Sequence, residues 1–244
     1  MTIPIIVPLY FSNHIIPQFM RSLSLEEKQD YHTYFILNDE DKNNYEDLRL
    51  KLSQYNFNKF TLISPNTNLF YSKSINVGYR YAFGKEADNS FSKYFYVTNP
   101  DCFPLEENWL SRLIEIFNII ERGEDKKIAS LGTLQFSNYE KTRIWHFGCM
   151  WKDESKGEQK CHPLDWRHNT FYQGKDFIKC DGNTGTGILI NNDCYKDIKF
   201  DDKNHPHYCS DARWAEETSQ AGWSHYCSNV QMFHQPGQST KKDI

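Results

Sequence analysis

Along the first half of the chain, hydrophobic residues come in short unbroken runs separated by longer stretches where they recur every three or four positions. The runs at 3–9, 34–37, 60–63 and 94–98 are rich in β-branched and aromatic residues, as expected of strands buried on both faces. Between and beyond them, residues 15–25, 45–55, 72–83 and 109–120 carry apolar positions at helical spacing, and Gly123 stops the last of these. Strand and helix alternating in this way predict βαβ units around a mostly parallel sheet flanked by helices. The alternation then stops. Residues 128–136 and 143–151 predict strands, 153–168 a polar loop, and a glycine-rich segment at 180–187 runs into a short strand at 188–190. No repeat, low-complexity block or linker divides the chain, so the pattern predicts one α/β domain with a smaller second half.

One strand ends informatively. The run Tyr94-Phe-Tyr-Val-Thr stops at Asn99-Pro100-Asp101, because a proline cannot continue a sheet ladder. Asp101 is left at the carboxyl end of a strand, where open α/β sheets place their ligands. A carboxylate fixed there suits a divalent cation, which in turn can hold a diphosphate. Taken alone, it reads equally well as a turn aspartate. The glycine-rich segment Cys180-Asp-Gly-Asn-Thr-Gly-Thr-Gly187 precedes a strand and lacks the G-x-x-x-x-G-K-[ST] pattern, so it is not a P-loop. Close approach of its backbone to a ligand or a neighbouring strand is the better account.

Composition narrows the class. With 244 residues, 39% of them hydrophobic and 16% aromatic, the chain can bury a sizeable core with aromatic-lined pockets. A net charge of −4 offers no general attraction to nucleic acid or to an anionic bilayer. No apolar run approaches the roughly 20 residues that span a membrane, and the opening Met1-Thr-Ile-Pro reads as the lead into a strand rather than a signal peptide. Seven cysteines at scattered positions, with no C-x-x-C pair, argue against a disulfide framework and fit a reduced cytoplasm. A zinc site can be imagined from Cys161, His162, His205, His207 and Cys209, yet their spacing matches no zinc pattern.

Several segments carry a family pattern in order. Ile5-Ile-Val-Pro8-Leu-Tyr10 is similar to an opening strand whose end contacts a nucleotide. Phe35-Ile-Leu-Asn38-Asp39 is similar to a second strand and its "V-D-N-G-S-x-D" loop, with Asn38 where an aspartate is usual. Asn68 through Asn76 to Gly78 resembles "N-x-G-x-x-x-x-x-N-x-G", with Phe70 replacing the first glycine, and Asn99-Pro100-Asp101 resembles an "N-P-D" metal motif. Ser210-Asp211-Ala-Arg213-Trp with Gly222 resembles "E-D-x-D-L…G". Val230 to Ser239, containing His234, resembles "V-x-x-x-H-x-x-G-x-S". Together these segments resemble the family-2-like glycosyltransferases with the GT-A fold, particularly the bacterial rhamnosyltransferase-like branch, over nearly the whole chain.

The resemblance implies a nucleotide-binding half at 1–125 and an acceptor and catalytic half at 126–244. It implies inverting transfer of a sugar from a nucleoside diphosphate sugar to the hydroxyl of a glycan or glycolipid, as in polysaccharide or glycoconjugate assembly. The enzyme would be cytoplasmic, meeting the membrane at most peripherally through a lipid-linked acceptor. Asp211 would be the catalytic base. Pro8, Tyr10, Asn38 or Asp39, Asn68, Asn76, Gly78 and Asn99 would contact the nucleotide sugar, and Asp101 and His234 would hold Mn²⁺ or Mg²⁺. Arg213 is expected to pair with Asp211 and keep it ionised; Asp181, Glu216 and Glu217 are the competing bases. Read from the residues alone, Asn76 and Gly78 also fit capping and packing roles; Trp145, His146, Trp166 and Trp223 fit core aromatics, or, since sugars stack on indole faces, a wall of the acceptor site for at least one of them. A catalytically silent GT-A-like module that binds glycans or nucleotides is the rival class. A nucleotidyltransferase would want a glycine-rich, basic signature near the N-terminus, which the chain lacks.

Overall fold

The computed structural model describes residues 1–38, 42–55, 59–84, 92–123, 126–151, 166–172, 174–207 and 209–235. The first half follows the apolar pattern: β1 (Ile3–Leu9), α1 (Ile16–Leu23), β2 (Tyr31–Leu37), α2 (Lys42–Ser53), β3 (Phe60–Ile63), α3 (Phe70–Phe83) and β4 (Tyr94–Val97). Then come β5 (Cys102–Pro104) and α4 (Trp109–Gly123). The second half holds β6 (Ile128–Phe136), β7 (Ile144–His146), β8 (Cys149–Trp151), β9 (Trp166–His168), β10 (Phe177–Cys180), β11 (Ile188–Asn191), α5 (Asn192–Asp197), α6 (Ser210–Gln220) and β12 (Ser224–His234).

The main sheet runs β10-β12-β6-β11-β4-β1-β2-β3, and along this path β10 and β11 oppose the direction of the other strands. The parallel block β3-β2-β1-β4 is the βαβ half expected from the sequence. β1, β2 and β4 are buried on both faces, which is why they read as unbroken apolar runs, while β3 at the sheet edge is mostly half-buried. Ile3, Ile5, Val7 and Leu9 of β1 join one core with α1, α2 and α4. Ile6, on the opposite face, joins a second core with α3, α5 and Trp214 of α6. α3 lies close on β1 because residue 78 is glycine: a Cβ there would sit 2.6 Å from Cγ2 of Ile6.

One loop holds a helix in place and another redirects a strand. Glu26, after α1, turns its buried carboxylate onto the start of α4, accepting from Leu110 N at 2.7 Å, Ser111 N at 3.0 Å and Ser111 Oγ at 2.6 Å. These are first-turn donors that the helix itself leaves without partners. The strand expected at 143–151 is instead broken in two. Gly148, at φ +81°, turns the chain there, so β7 stays on β6 while β8 leaves to pair with β9. The last residues of the expected polar loop at 153–168 therefore form a strand, and residues 152–165 lie outside the described residues.

Candidate active site

The Asn99-Pro100-Asp101 segment is a tight turn at the carboxyl end of β4. Cys102 N donates to Asn99 O at 3.0 Å, closing a turn with proline at its second position, where its fixed φ is preset. Thr98 Oγ1 donates to Cys102 O at 2.8 Å, and Asn99 N donates to Thr186 Oγ1 at 2.8 Å. The chain then reverses into β5, which pairs with the end of β12 so that Cys102 stands opposite His234. Gln235 N donating to Asp101 O at 3.1 Å completes the junction. Two residues far apart in sequence thereby meet: Nε2 of His234 lies 4.0 Å from Oδ1 of Asp101, both side chains buried.

The tautomer of His234 follows from its neighbour. Gln135 spends its amide hydrogens on Thr186 O at 2.8 Å and Thr184 Oγ1 at 3.3 Å, so its Oε1 is an acceptor. Nδ1 of His234 lies 2.8 Å from that oxygen and must carry the proton. Burial, with a smaller contribution from His168, pushes His234 down to about 3, so the ring is neutral. A neutral imidazole lone pair therefore faces a carboxylate oxygen at a separation too long for a hydrogen bond. Nitrogen and oxygen donors so arranged suit a divalent cation of the Mn²⁺ or Mg²⁺ kind. The Trp145 ring packs edge-on to His234 at 4.2 Å.

Asp211 sits in the first turn of α6, after Cys209 at φ 60°. Its Oδ1 accepts from Ala212 N at 2.9 Å and its Oδ2 from Gly185 N at 3.0 Å. Burial raises its pKa, partly opposed by these backbone donors and its own N–H. The glycine-rich segment is what allows the approach. Gly185 O accepts from the Tyr71 hydroxyl, and a Cβ on Gly185 would lie 2.8 Å from Cζ of that ring. Gly187, at φ +71°, leaves room for Thr133 Oγ1. The glycines thus serve close backbone approach to neighbouring elements.

The expected Arg213–Asp211 pair does not form. Arg213 turns along the solvent side of α6 to Glu216 and Glu217, each at 2.8 Å, because residues three and four apart share a helix face and residues two apart do not. Those two competing bases are thus engaged with Arg213. Asp181, the third, accepts from Trp151 N at 2.9 Å and ties β8 to the glycine-rich segment.

The expected nucleotide contacts fall into two groups. Pro8, in β1, and Tyr10, just after it, share a sheet edge with Asn99, since Thr98 N donates to Ile6 O at 3.2 Å across the β1–β4 pair. The others are engaged within the fold, Asn38 and Asn76 as buried side chains and Asn68 in a local turn at the surface. Asn38 Oδ1 accepts from Leu69 N at 3.2 Å and Ser74 Oγ at 2.8 Å, and Asn68 Oδ1 accepts from Phe70 N at 2.8 Å. Asn76 gives both amide hydrogens away, to Phe200 O at 3.0 Å and Asp202 Oδ2 at 2.9 Å, and accepts from the Tyr195 hydroxyl at 2.7 Å. With Gly78 packed on Ile6, both residues of that motif hold α3 to the fold. Asp39 lies outside the described residues. An open groove of about 680 Å³ at the end of α3, lined by Arg80, Lys199 and Asp202 among others, includes none of Asp101, His234 and Asp211. Sequence reasoning missed Gln135, whose only signal is a glutamine inside a fully buried strand.

The chain aligns along its length with solved structures. A mannosyltransferase from Pyrobaculum calidifontis in complex with GDP-Man and Mn²⁺ is similar with TM-score 0.64 at 10% identity, over 96% of this chain and 56% of that one. GalNAc-T7 with UDP, GalNAc and Mn²⁺ gives 0.67 at 11% identity, over 96% of this chain and 44% of that one. TarS of S. aureus, residues 1–349, gives 0.56 at 12% identity, over 98% of this chain and 62% of that one. The chain thus spans about half the length of the structures it resembles, and the GT-A fold is what they share. None of these matches singles out the rhamnosyltransferase-like branch. No curated protein sequence matches significantly. Residues 5–198, well over half of the chain, match Glycosyl transferase family 2, and the chain belongs to that family.

Proposed function

We propose that the protein transfers a sugar from a nucleoside diphosphate sugar to the hydroxyl of a glycan or glycolipid acceptor, with inversion at the anomeric carbon, in polysaccharide or glycoconjugate assembly. The observation that carries this reading is the facing pair of a neutral His234 and a buried Asp101 at 4.0 Å. Asp101 and His234 would hold Mn²⁺ or Mg²⁺, and a bound cation supplies neutralisation of the charge that develops on a departing diphosphate. GDP-Man and Mn²⁺ in one structural neighbour, and UDP, GalNAc and Mn²⁺ in another, support a donor and a metal of this kind.

The chain's own residues supply the rest. Pro8, Tyr10 and Asn99, on the edge that carries Asp101, are proposed to position the nucleotide, with Asp39 as the base contact and Asn38, Asn68, Asn76 and Gly78 holding the surrounding loop and helix. Asp211 takes the proton of the acceptor hydroxyl as that oxygen attacks the anomeric carbon. Its pKa, raised by burial, makes it a stronger base than an ordinary aspartate. The Gly185 and Ala212 N–H groups fix both its oxygens. The protein would work at the cytoplasmic face of a membrane when its acceptor is lipid-linked; among the described residues no helix is long and apolar enough to cross one.

A panel of nucleotide sugars, screened for thermal stabilisation with Mn²⁺ and then for turnover, tests the proposal. Metal-dependent stabilisation by one donor together with release of its nucleoside diphosphate is expected. Stabilisation without turnover, with every acceptor and with water, would instead mark a silent binding module, and no stabilisation by any donor would remove the reading.

A further inference from the structure

Beside the Asp101–His234 pair lies a second group of ligand atoms that shares no residue with it. His146 ends β7, Cys149 begins β8, and the β8–β9 register sets His168 directly opposite Cys149. The turn at Gly148 folds His146 back over both. Nδ1 of His146 and Nδ1 of His168 are 3.0 Å apart, and Sγ of Cys149 lies 3.8 Å from the first and 3.6 Å from the second. Tetrahedral zinc, with bonds of about 2.3 Å to sulfur and 2.0–2.1 Å to nitrogen, spaces its ligands about 3.3–3.6 Å apart. Shifts of a few tenths of an ångström would seat the ion. Among the described residues no fourth His, Cys, Asp or Glu joins the three.

We infer that His146, Cys149 and His168 form a binding site for a thiophilic divalent transition metal, Zn²⁺ in the first instance, with its fourth position left to water or another small ligand. The proton accounting closes. In the metal-free protein burial keeps the Cys149 thiol and both imidazoles neutral, and the two Nδ1 atoms share one proton. The ion replaces that proton and the thiol proton. The thiol proton leaves to solvent, and the ring proton moves to Nε2 of its own imidazole. If that ring is His146, protonation of its Nε2 gives up only a weak 3.3 Å contact from Gly148 N. The bound ion would staple the β7–β8 turn to β9. It would thereby fix Trp145, whose ring lies 4.6 Å from His168 on one side and 4.2 Å from His234 on the other.

Sulfur sets this site apart from the oxygen-and-nitrogen pair at Asp101, so the probe is Co²⁺ added to chelator-treated, untagged protein, read by thiolate-to-cobalt charge-transfer absorption. The expected result is a band that saturates at about one equivalent and is displaced by Zn²⁺. It should be lost in Cys149→Ser, weakened at least ten-fold in apparent affinity in His168→Gln, and kept in Asp101→Ala. His168→Gln, at a partly exposed position, guards against misfolding of the buried cysteine variant. No band in the parent, or an unchanged band in Cys149→Ser, would overturn the inference and leave a hydrogen-bonded His–His–Cys cluster.

Discussion

Gln135 decides what His234 can do. By accepting from Nδ1 at 2.8 Å it places the lone pair on Nε2, facing Asp101. Replacing it with leucine keeps the size and removes the orientation. Removing such an outer partner of a metal ligand typically costs 10–100-fold in metal affinity. Gln135→Leu is therefore expected to weaken Mn²⁺-dependent donor binding about 10–100-fold in calorimetric titrations, while leaving any metal-independent nucleotide binding near the parent's. Asp211 is tested by a different quantity. Asp211→Asn should bind donor like the parent and lose about 10²–10⁴-fold in transfer at saturating donor. Asp181→Asn, which keeps an acceptor oxygen for Trp151 N, should keep most of its turnover. The reverse pattern would move the base to the glycine-rich segment.

Helix ends and strand registers set these residues in place, and they can be probed separately. The buried Glu26 carboxylate holds the first turn of α4, and hydrogen bonds to a charged group are worth about 1.5–3 kcal/mol each where the partner is left buried. Glu26→Ala should lower the unfolding free energy by at least about 3 kcal/mol in urea titrations, with donor binding by the folded fraction unchanged. α6, which carries Asp211, is tied to the sheet by a relay. Asn183 Nδ2 donates to Ser130 Oγ at 3.1 Å, Ser130 Oγ lies 2.8 Å from Nδ1 of His225, and Nε2 of His225 lies 3.0 Å from Thr218 Oγ1. Thr218 passes its own hydrogen to Trp214 O at 2.7 Å, so it accepts from the imidazole. Burial pushes His225 down to about 4, against a usual 6.5. Between those values the unfolded chain binds the proton and the folded one does not, so stability falls as pH drops from about 6.5 to about 4. The contribution lost is about 3 kcal/mol, and a His225→Gln variant should show a flatter urea midpoint across the same window. A parental slope in that variant would assign the acid sensitivity elsewhere.

The parts legible in the sequence are those governed by local pattern. Strands buried on both faces announce themselves as unbroken apolar runs, and Pro100 marks where β4 must stop, so the parallel half and Asp101 could be read directly. Partnerships across the fold could not. Asn76 looks like a ligand contact until α3 packs against the turn after α5 and every polar atom of its side chain is taken. Arg213 looks like a partner for Asp211 until the helix turns it toward Glu217. His146, Cys149 and His168 come together only through a glycine turn and a two-strand register that the polar stretch around them conceals. Across the whole molecule, the proposed donor site needs both halves, since the N-P-D turn on the parallel half and the last strand of the second half would jointly hold a donor through a divalent cation. The direct test is calorimetric binding of the stabilising nucleotide sugar to the parent and to Asp101→Ala, each with Mn²⁺ and with chelator. Tight binding is expected only for the parent with Mn²⁺, and a folded Asp101→Ala with the same weak affinity in both conditions. Equal, Mn²⁺-enhanced binding by Asp101→Ala would contradict that expectation.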